Sequence, residues 1–170
     1  MRRWVILIAT HLAMLAMGFA GGVYTLPILT APQAPDAAAL RTISAETLYA
    51  GRLARDLKGS DPLHRGEGEI RVSRDRIAHI GRLAPGPDYK LYLAPRFVDT
   101  KEAFLLIKDR SVRVGDVKTF NGFIVEVPAG IDVRDYNTVV IWCEAFDQFI
   151  SAAEYQPSSQ ARERARRWIP

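Results

Sequence analysis

The single cysteine of this 170-residue chain, Cys143, is the residue whose side chain offers the most chemistry. A cysteine thiolate can relay electrons, form a transient mixed disulfide or ligate a metal, provided that its pKa is lowered and that reagents reach it. A buried thiol instead behaves as a small hydrophobic side chain. Cys143 follows an apolar run, which favours burial, whereas Glu144 directly after it is typical of a strand end. The sequence leaves both interpretations open.

Three residues are candidate binding neighbours of this thiol: Asp61, His64 and Trp142. His64 follows Pro62 in a predicted loop, where an imidazole acts as a base or a ligand, or caps a turn by hydrogen bonding. The chain has three histidines, and their positions do not match the ligand spacing of a metal site, so we assign no metal ligands. A haem would have to use His64 or His79, and the cofactor is therefore left unknown.

Several enzyme classes lack their usual signatures in this chain. Gly66 and Gly68 precede a predicted strand and lack the later glycine and lysine of a phosphate-binding loop. No Ser-His-Asp arrangement and no pair of catalytic carboxylates stands out. Enzymatic activity is therefore uncertain, and we expect an accessory redox or binding module instead of an enzyme.

The net charge of +4 belongs to the two ends of the chain. Residues 36–157 contain 17 Lys and Arg against 18 Asp and Glu, whereas residues 158–170 contain four arginines and one glutamate. A nucleic-acid-binding domain needs a basic face on the fold itself, so this balance argues against nucleic acid as a partner. The basic tail, residues 158–170, is either a solvated end or a contact for anionic lipid headgroups.

Two arginines near the N-terminus are followed by residues 4–29, which contain no charged side chain. About 20 apolar helical residues cross the ~30 Å hydrocarbon core of a bilayer. The run exceeds the ~7–15 apolar residues of a signal peptide, which favours an uncleaved signal anchor. Cleavage after Ala20 is the alternative, because Gly18 and Ala20 are small residues of the kind that a signal peptidase accepts. With the arginines in the cytoplasm, the domain lies on the extracytoplasmic, periplasmic side of the cell membrane.

The sequence after this anchor, residues 1–29, divides into a linker and a β domain. Residues 30–45 are rich in Ala and Pro, which predicts a semi-stiff spacer. Residues 46–157 show mostly two-residue periodicity broken by frequent Gly and Pro turn signals. This pattern predicts an all-β antiparallel sandwich, or a small barrel, with one short helix.

Three local patterns refine this prediction. Residues 138–143 are apolar on both faces, which is typical of a central strand. Asp99 and Glu102 resemble a capping box and predict the start of the short helix. Asn121 and Gly122 predict a hairpin that leads into the strand after them.

Three sequence marks in the β domain occur in a recognisable order. They are Gly51 with Asp61-Pro62-Leu63-His64-Arg65-Gly66-Glu67-Gly68, then Gly86-Pro87-Asp88 before an alternating strand, then a hydrophobic strand that closes in Trp142-Cys143. In these marks, over roughly residues 48–155, the chain resembles the DM-thirteen domain family of extracytoplasmic domains.

The resemblance implies a redox function. The family is similar to, and often found beside, haem-binding extracellular sandwich domains, and it has been proposed to pass electrons with its cysteine as the redox centre. Cys143 would then be the redox thiol of a membrane-anchored electron-relay module that works with a partner redox protein. The second hypothesis is a non-catalytic extracytoplasmic binding or scaffolding domain, in which Cys143 is a buried structural residue.

Overall fold

The computed structural model describes residues 1–157, so the predicted basic tail, residues 158–170, lies outside the described residues. The chain begins with a 29-residue helix, α1 (Arg2–Thr30). Within the described residues it is the one helix long and apolar enough to cross a membrane, and a signal sequence has the same properties. Val23 and Pro27, four residues apart on one face, are partly covered, while the rest of the helix is exposed.

Two four-stranded antiparallel sheets form the β domain, which confirms the predicted sandwich, and the sheets do not close into a barrel. The first sheet has the order β1-β2-β3-β6, and its strands are β1 (Tyr49–Leu53), β2 (Gly66–Val72), β3 (Arg76–Leu83) and β6 (Phe123–Glu126). The second has the order β5-β4-β7-β8, and its strands are β4 (Tyr89–Ala94), β5 (Val112–Val117), β7 (Thr138–Cys143) and β8 (Gln148–Glu154).

The central strand β7 is buried along its whole length, as its sequence predicts. Alternate residues point to opposite faces of a strand. Val139, Ile141 and Cys143 therefore pack between the two sheets. Val140 and Trp142 point to the other face of the sheet, where they form a second core cluster with Phe104, Ile107 and Phe149.

Short helices cover the sandwich. The short helix α3 (Lys101–Leu105) follows the end of β4, and its N-cap is Thr100, whose side chain accepts a hydrogen bond from the backbone amide of Ala103. This cap lies one residue after the predicted one. A further helix, α2 (Ala37–Ala45), begins at Asp36 within the segment predicted to be a spacer, and it buries Ile43 completely. The limits of the linker and the domain remain predictions.

The hairpin predicted at Asn121 and Gly122 is wrong. Gly122 has a φ of +95°, and the Thr119 hydroxyl donates a hydrogen bond to its carbonyl, so a tight turn does form. The turn connects β5 to β6, however, and these strands belong to different sheets. β6 pairs with β3 because its apolar residues Phe123 and Val125 pack into the core between the sheets. A local turn signal therefore does not determine which strand is the partner.

His79 is fully buried in β3, on the face that packs against the other sheet. Its Nε2 lies 3.0 Å from the Glu67 carbonyl oxygen, while Nδ1 has no partner within the described residues. Two glycines lie beside the ring where β2 and β3 approach closely: a Cβ on Gly81 would collide with the Glu67 carbonyl oxygen and one on Gly68 with the Ile80 carbonyl oxygen, and each would also crowd His79 Nε2. Burial lowers the pKa of His79, and the hydrogen bond to Glu67 opposes this only in part.

The first prediction concerns the core. Ile141 is fully buried, so Ile141→Ala is expected to lower the free energy of unfolding by ~2–5 kcal/mol. That is a large part of the ~5–15 kcal/mol available to a small domain. Ile80→Ala, at a partly buried position in β3, is the matched control and should cost less. Urea unfolding curves of the two variants measure the difference, and equal losses would contradict the placement of β7.

The second prediction concerns pH. An unfolded histidine has a pKa near ~6.5, and the folded pKa of His79 lies below it. The neutral ring's contribution to stability is therefore complete above ~6.5 and is lost as the pH falls through the folded pKa. The urea midpoint of the wild type should fall between about pH 7 and 5, and His79→Gln should flatten that fall. An equally steep fall in the variant would show that other groups are responsible.

Candidate functional site

Cys143 is the last residue of β7 and lies between Tyr89 of β4 and Gln148 of β8. Its side chain follows Val139 and Ile141 on the inner face of the sheet, which brings the thiol into the core between the sheets. Only 2% of the residue is exposed. The strand end on which the thiol lies faces α1, and we call this end of the sandwich the α1 end.

An apolar cavity of about 360 Å³ lies at the α1 end and is walled in part by Cys143. Val23 and Tyr24 of α1 form one side, and His64 and Phe146 contribute from the loops of the domain. Small-molecule sites in proteins have volumes of about 300–1,000 Å³, so this cavity has room for a small ligand. The structure thus brings Cys143 and His64, two of the predicted site residues, to one cavity.

Asp61, a third predicted site residue, holds the His64 ring in place. Its Oδ2 is 2.7 Å from His64 Nδ1, and its Oδ1 accepts hydrogen bonds from the backbone amides of Leu63 and His64 at 2.7 and 2.8 Å. An ionised carboxylate only accepts, so the ring proton is on Nδ1. Nε2 makes no hydrogen bond among the described residues. A carboxylate that orients a histidine in this way is common where the other nitrogen acts as a base or a ligand.

Burial keeps the thiol and the phenol that line the cavity in their protonated forms. Burial raises the pKa of the Cys143 thiol, and contacts with the backbone amides of Phe146, Asp88 and Ala145 oppose the rise without cancelling it. Burial also raises the pKa of Tyr89, whose hydroxyl donates a 2.9 Å hydrogen bond to the Ala84 carbonyl. Burial alone would raise the pKa of Asp61 as well, but its hydrogen bonds outweigh burial and lower it.

Trp142, the fourth predicted site residue, is not in this cavity. Because neighbouring residues of a strand point to opposite faces, its ring packs on the outer face of the sheet, 5.0 Å from Phe104 between ring centroids. Lys108 Nζ lies 4.9 Å from the centre of the Trp142 ring and 2.8 Å from Glu144 Oε2. Glu144 also accepts a hydrogen bond from the Tyr92 hydroxyl.

This second cluster, Tyr92, Phe104, Lys108, Trp142 and Glu144, was missed by sequence reasoning. Glu144 stood out only as a polar residue after the thiol, and Lys108 lies 36 positions before it. A single ion pair between distant positions leaves no periodic signal in one sequence.

The described residues contain no group of three His, Cys, Asp or Glu side chains that is close enough to hold a metal ion. Of the two candidate haem ligands, His64 lines the cavity, whereas both ring nitrogens of His79 are buried between the sheets. His79 therefore does not fit as an axial ligand in this fold.

The third prediction follows from the raised thiol pKa. A pKa one unit higher lowers the thiolate fraction at neutral pH about tenfold, and only the thiolate reacts with iodoacetamide. Native Cys143 should therefore react slowly at pH 7, and the midpoint of its rate against pH should lie above the ordinary ~8.5 of the urea-unfolded thiol. Intact mass against time measures both rates. A native midpoint below the unfolded one would contradict the burial of the thiol.

Comparison with known proteins identifies the family of this chain. No curated protein and no solved structure matches the chain. A family model described as electron transfer DM13 matches residues 56–155, which include every strand except β1 and all four predicted site residues. The match covers more than half of the sequence, and so the chain belongs to the electron transfer DM13 family.

Proposed function

We propose that this protein is a membrane-anchored electron-transfer module in which Cys143 is the redox centre. The observation that carries the proposal is that the only thiol of an electron transfer DM13 domain forms part of the wall of a 360 Å³ cavity. A residue packed solely into the core would not border such a space. The cavity supplies space for a small oxidant or for a side chain of a partner redox protein.

The proposed place of work is the outer surface of the cell membrane. The charge-free residues 4–29 of α1 match the thickness of a bilayer, and Arg2 and Arg3 before them favour the cytoplasmic side. The β domain would then lie on the periplasmic side, where disulfide chemistry is common. Anchoring keeps the cavity at the α1 end close to the membrane surface.

The chemistry of a single thiol restricts the redox step. Cys143 cannot form a disulfide within the chain, so we propose exchange with the disulfide of a partner. The Cys143 proton passes to His64 Nε2, the thiolate attacks one sulfur of the partner disulfide, and a mixed disulfide forms while the second sulfur leaves as a thiolate. The leaving thiolate takes the proton from His64. A second thiol then attacks the partner's sulfur in the mixed disulfide, which forms a new disulfide with that sulfur and releases Cys143 as a thiol. Asp61 would act as a positioning residue, because its contact with Nδ1 fixes the orientation of the ring and leaves Nε2 free of that hydrogen bond.

A non-catalytic binding or scaffolding domain is the second candidate function. It is favoured by the 2% exposure of Cys143 and by the raised pKa of its thiol, both of which are typical of a structural cysteine. In this case the cavity would hold an apolar ligand, and the thiol would only pack.

The fourth prediction separates the two functions. The full chain in detergent is treated with hydroxyethyl disulfide and then with dithiothreitol, and intact mass is followed. For a redox centre, native Cys143 should gain the mixed-disulfide adduct and lose it again on reduction, and Asp61→Asn should slow the gain. If the thiol is structural, no adduct forms until urea unfolds the domain, and the electron-transfer proposal fails.

Two variants control this experiment. Cys143→Ser should form no adduct, and it buries a hydroxyl at a cost of roughly 1–3 kcal/mol. Leu63→Cys in the Cys143→Ser background puts a thiol at the rim of the same cavity, where Leu63 is 58% exposed. It should react in the native state under either hypothesis, which shows that the reagent reaches the α1 end.

A further inference from the structure

A second cleft at the α1 end, with a volume of about 340 Å³, is lined by three arginines: Arg55, Arg65 and Arg82. Arg55 and Arg82 are exposed and Arg65 is half-buried. The three come from different parts of the chain, namely the segment after β1, the residue before β2 and the end of β3. The fold, and not the sequence order, brings these three residues to one cleft.

These arginines are without acidic partners in the described part of the chain. Elsewhere in the domain Arg71, Arg76, Arg113 and Arg134 each form an ion pair with Asp or Glu. Arg74, Arg96 and Arg110 form none within the described residues, but these three do not share a cleft with one another. The cleft contains one carboxylate, Glu67. It lies opposite Arg82 in the register of β2 and β3, yet no ion pair within 4.0 Å joins them. The cleft therefore keeps a net positive charge.

Tyr24 of α1 is also part of the cleft, and this relates the arginines to the membrane. A 29-residue helix is ~43 Å long, and the hydrocarbon core takes up only ~30 Å of it. With the core beginning after Arg3, Tyr24 lies near the headgroup level, where tyrosine is enriched, and the α1 residues beside the thiol cavity lie just inside the acyl boundary. The neighbouring rim carries Leu63 and Phe146, which are 58% and 55% exposed.

From this geometry we infer that the cleft binds the phosphate of an anionic lipid headgroup in the bilayer that α1 crosses. Arginine suits this ligand because its planar guanidinium donates two parallel hydrogen bonds to phosphate oxygens. The exposed apolar rim, Leu63 and Phe146, would contact the acyl boundary beside that headgroup. The inference rests on the anchoring part of the proposed function and is independent of the chemistry of Cys143.

The test is native mass spectrometry of the full chain released from detergent micelles that contain phosphatidylglycerol or phosphatidylcholine. The wild type should retain phosphatidylglycerol in preference to phosphatidylcholine. The triple variant Arg55→Gln, Arg65→Gln, Arg82→Gln should lose this retention by about tenfold or more, because each lost guanidinium removes charge-assisted hydrogen bonds. Equal retention of the two lipids by the wild type would overturn the inference.

A matched variant removes the same charge from the opposite end of the sandwich: Arg74→Gln, Arg96→Gln, Arg110→Gln. All three of these arginines are exposed and lie at the β2–β3 turn, after β4 and before β5. Retention of phosphatidylglycerol should stay at the wild-type level. A loss as large as in the cleft variant would mean that net charge, and not the cleft, attracts the lipid.

Two further arms identify the source of the phosphate and the part of the chain that binds it. Inorganic phosphate at millimolar concentration should not displace the lipid, and displacement would make the cleft a site for free phosphate. Glutamine at Arg162, Arg164, Arg166 and Arg167, outside the described residues, should leave retention unchanged. A loss there would assign the lipid to the tail and overturn the inference.

Failure of this inference can be told apart from failure of the proposed function. The same spectrum gives the mass of the chain, so a mature protein that lacks residues 1–20 would reveal a cleaved signal and remove the basis for the inference. Cys143→Ser should retain lipid normally, and the cleft variant should keep the disulfide-exchange behaviour of Cys143. Single variants at the exposed Arg55 and Arg82 replace the triple variant if its thermal unfolding shows that it does not fold.

Discussion

The burial of β7 on both faces is the constraint on which the rest of this structure depends. One face of the strand packs against the first sheet, and the other face places Val140 and Trp142 where a sandwich would normally meet water. Apolar side chains on that outer face need a cover, which Phe104 and Ile107 supply from α3 and the residue two positions after it. The domain is therefore a sandwich with a third, partial layer, and the short helix is required by the composition of the central strand.

The same strand determines the chemistry of its last residue. Because strand residues alternate between faces, Cys143 points inward with Ile141 and its neighbour Trp142 points outward. The two adjacent residues therefore pack in different clusters, one between the sheets and one on the outer face. Burial raises the pKa of the thiol, which lowers its thiolate fraction at neutral pH. The cavity beside the thiol favours reactivity instead, because the oriented imidazole of His64 lines the same space. Whether the residue is structural or redox-active depends on the balance between these two effects, and an electron transfer family favours the second.

Several features that do not contribute to the packing of the domain lie at the α1 end. The thiol cavity, the arginine cleft and the exposed Leu63 and Phe146 all lie there, and Tyr24 contributes to both cavities. The opposite end carries the β2–β3 turn and the loop after β6. In the proposed membrane-anchored arrangement this end would be the one held near the lipid, beside the cysteine, the arginines and the exposed apolar side chains.

The amino-acid sequence by itself determined the apolar N-terminal helix, the antiparallel sandwich, the central position of residues 138–143 and the choice of Cys143, His64 and Asp61 as residues of interest. These features depend on composition and on local periodicity, which one sequence displays. Only the tertiary structure decided that β6 pairs with β3 and not with β5, that Trp142 points away from the thiol, and that Arg55, Arg65 and Arg82 share a cleft. The physical reason is that a turn or an alternating strand is specified by neighbouring residues, whereas pairing partners and clustered charges arise from burying apolar faces contributed by distant segments.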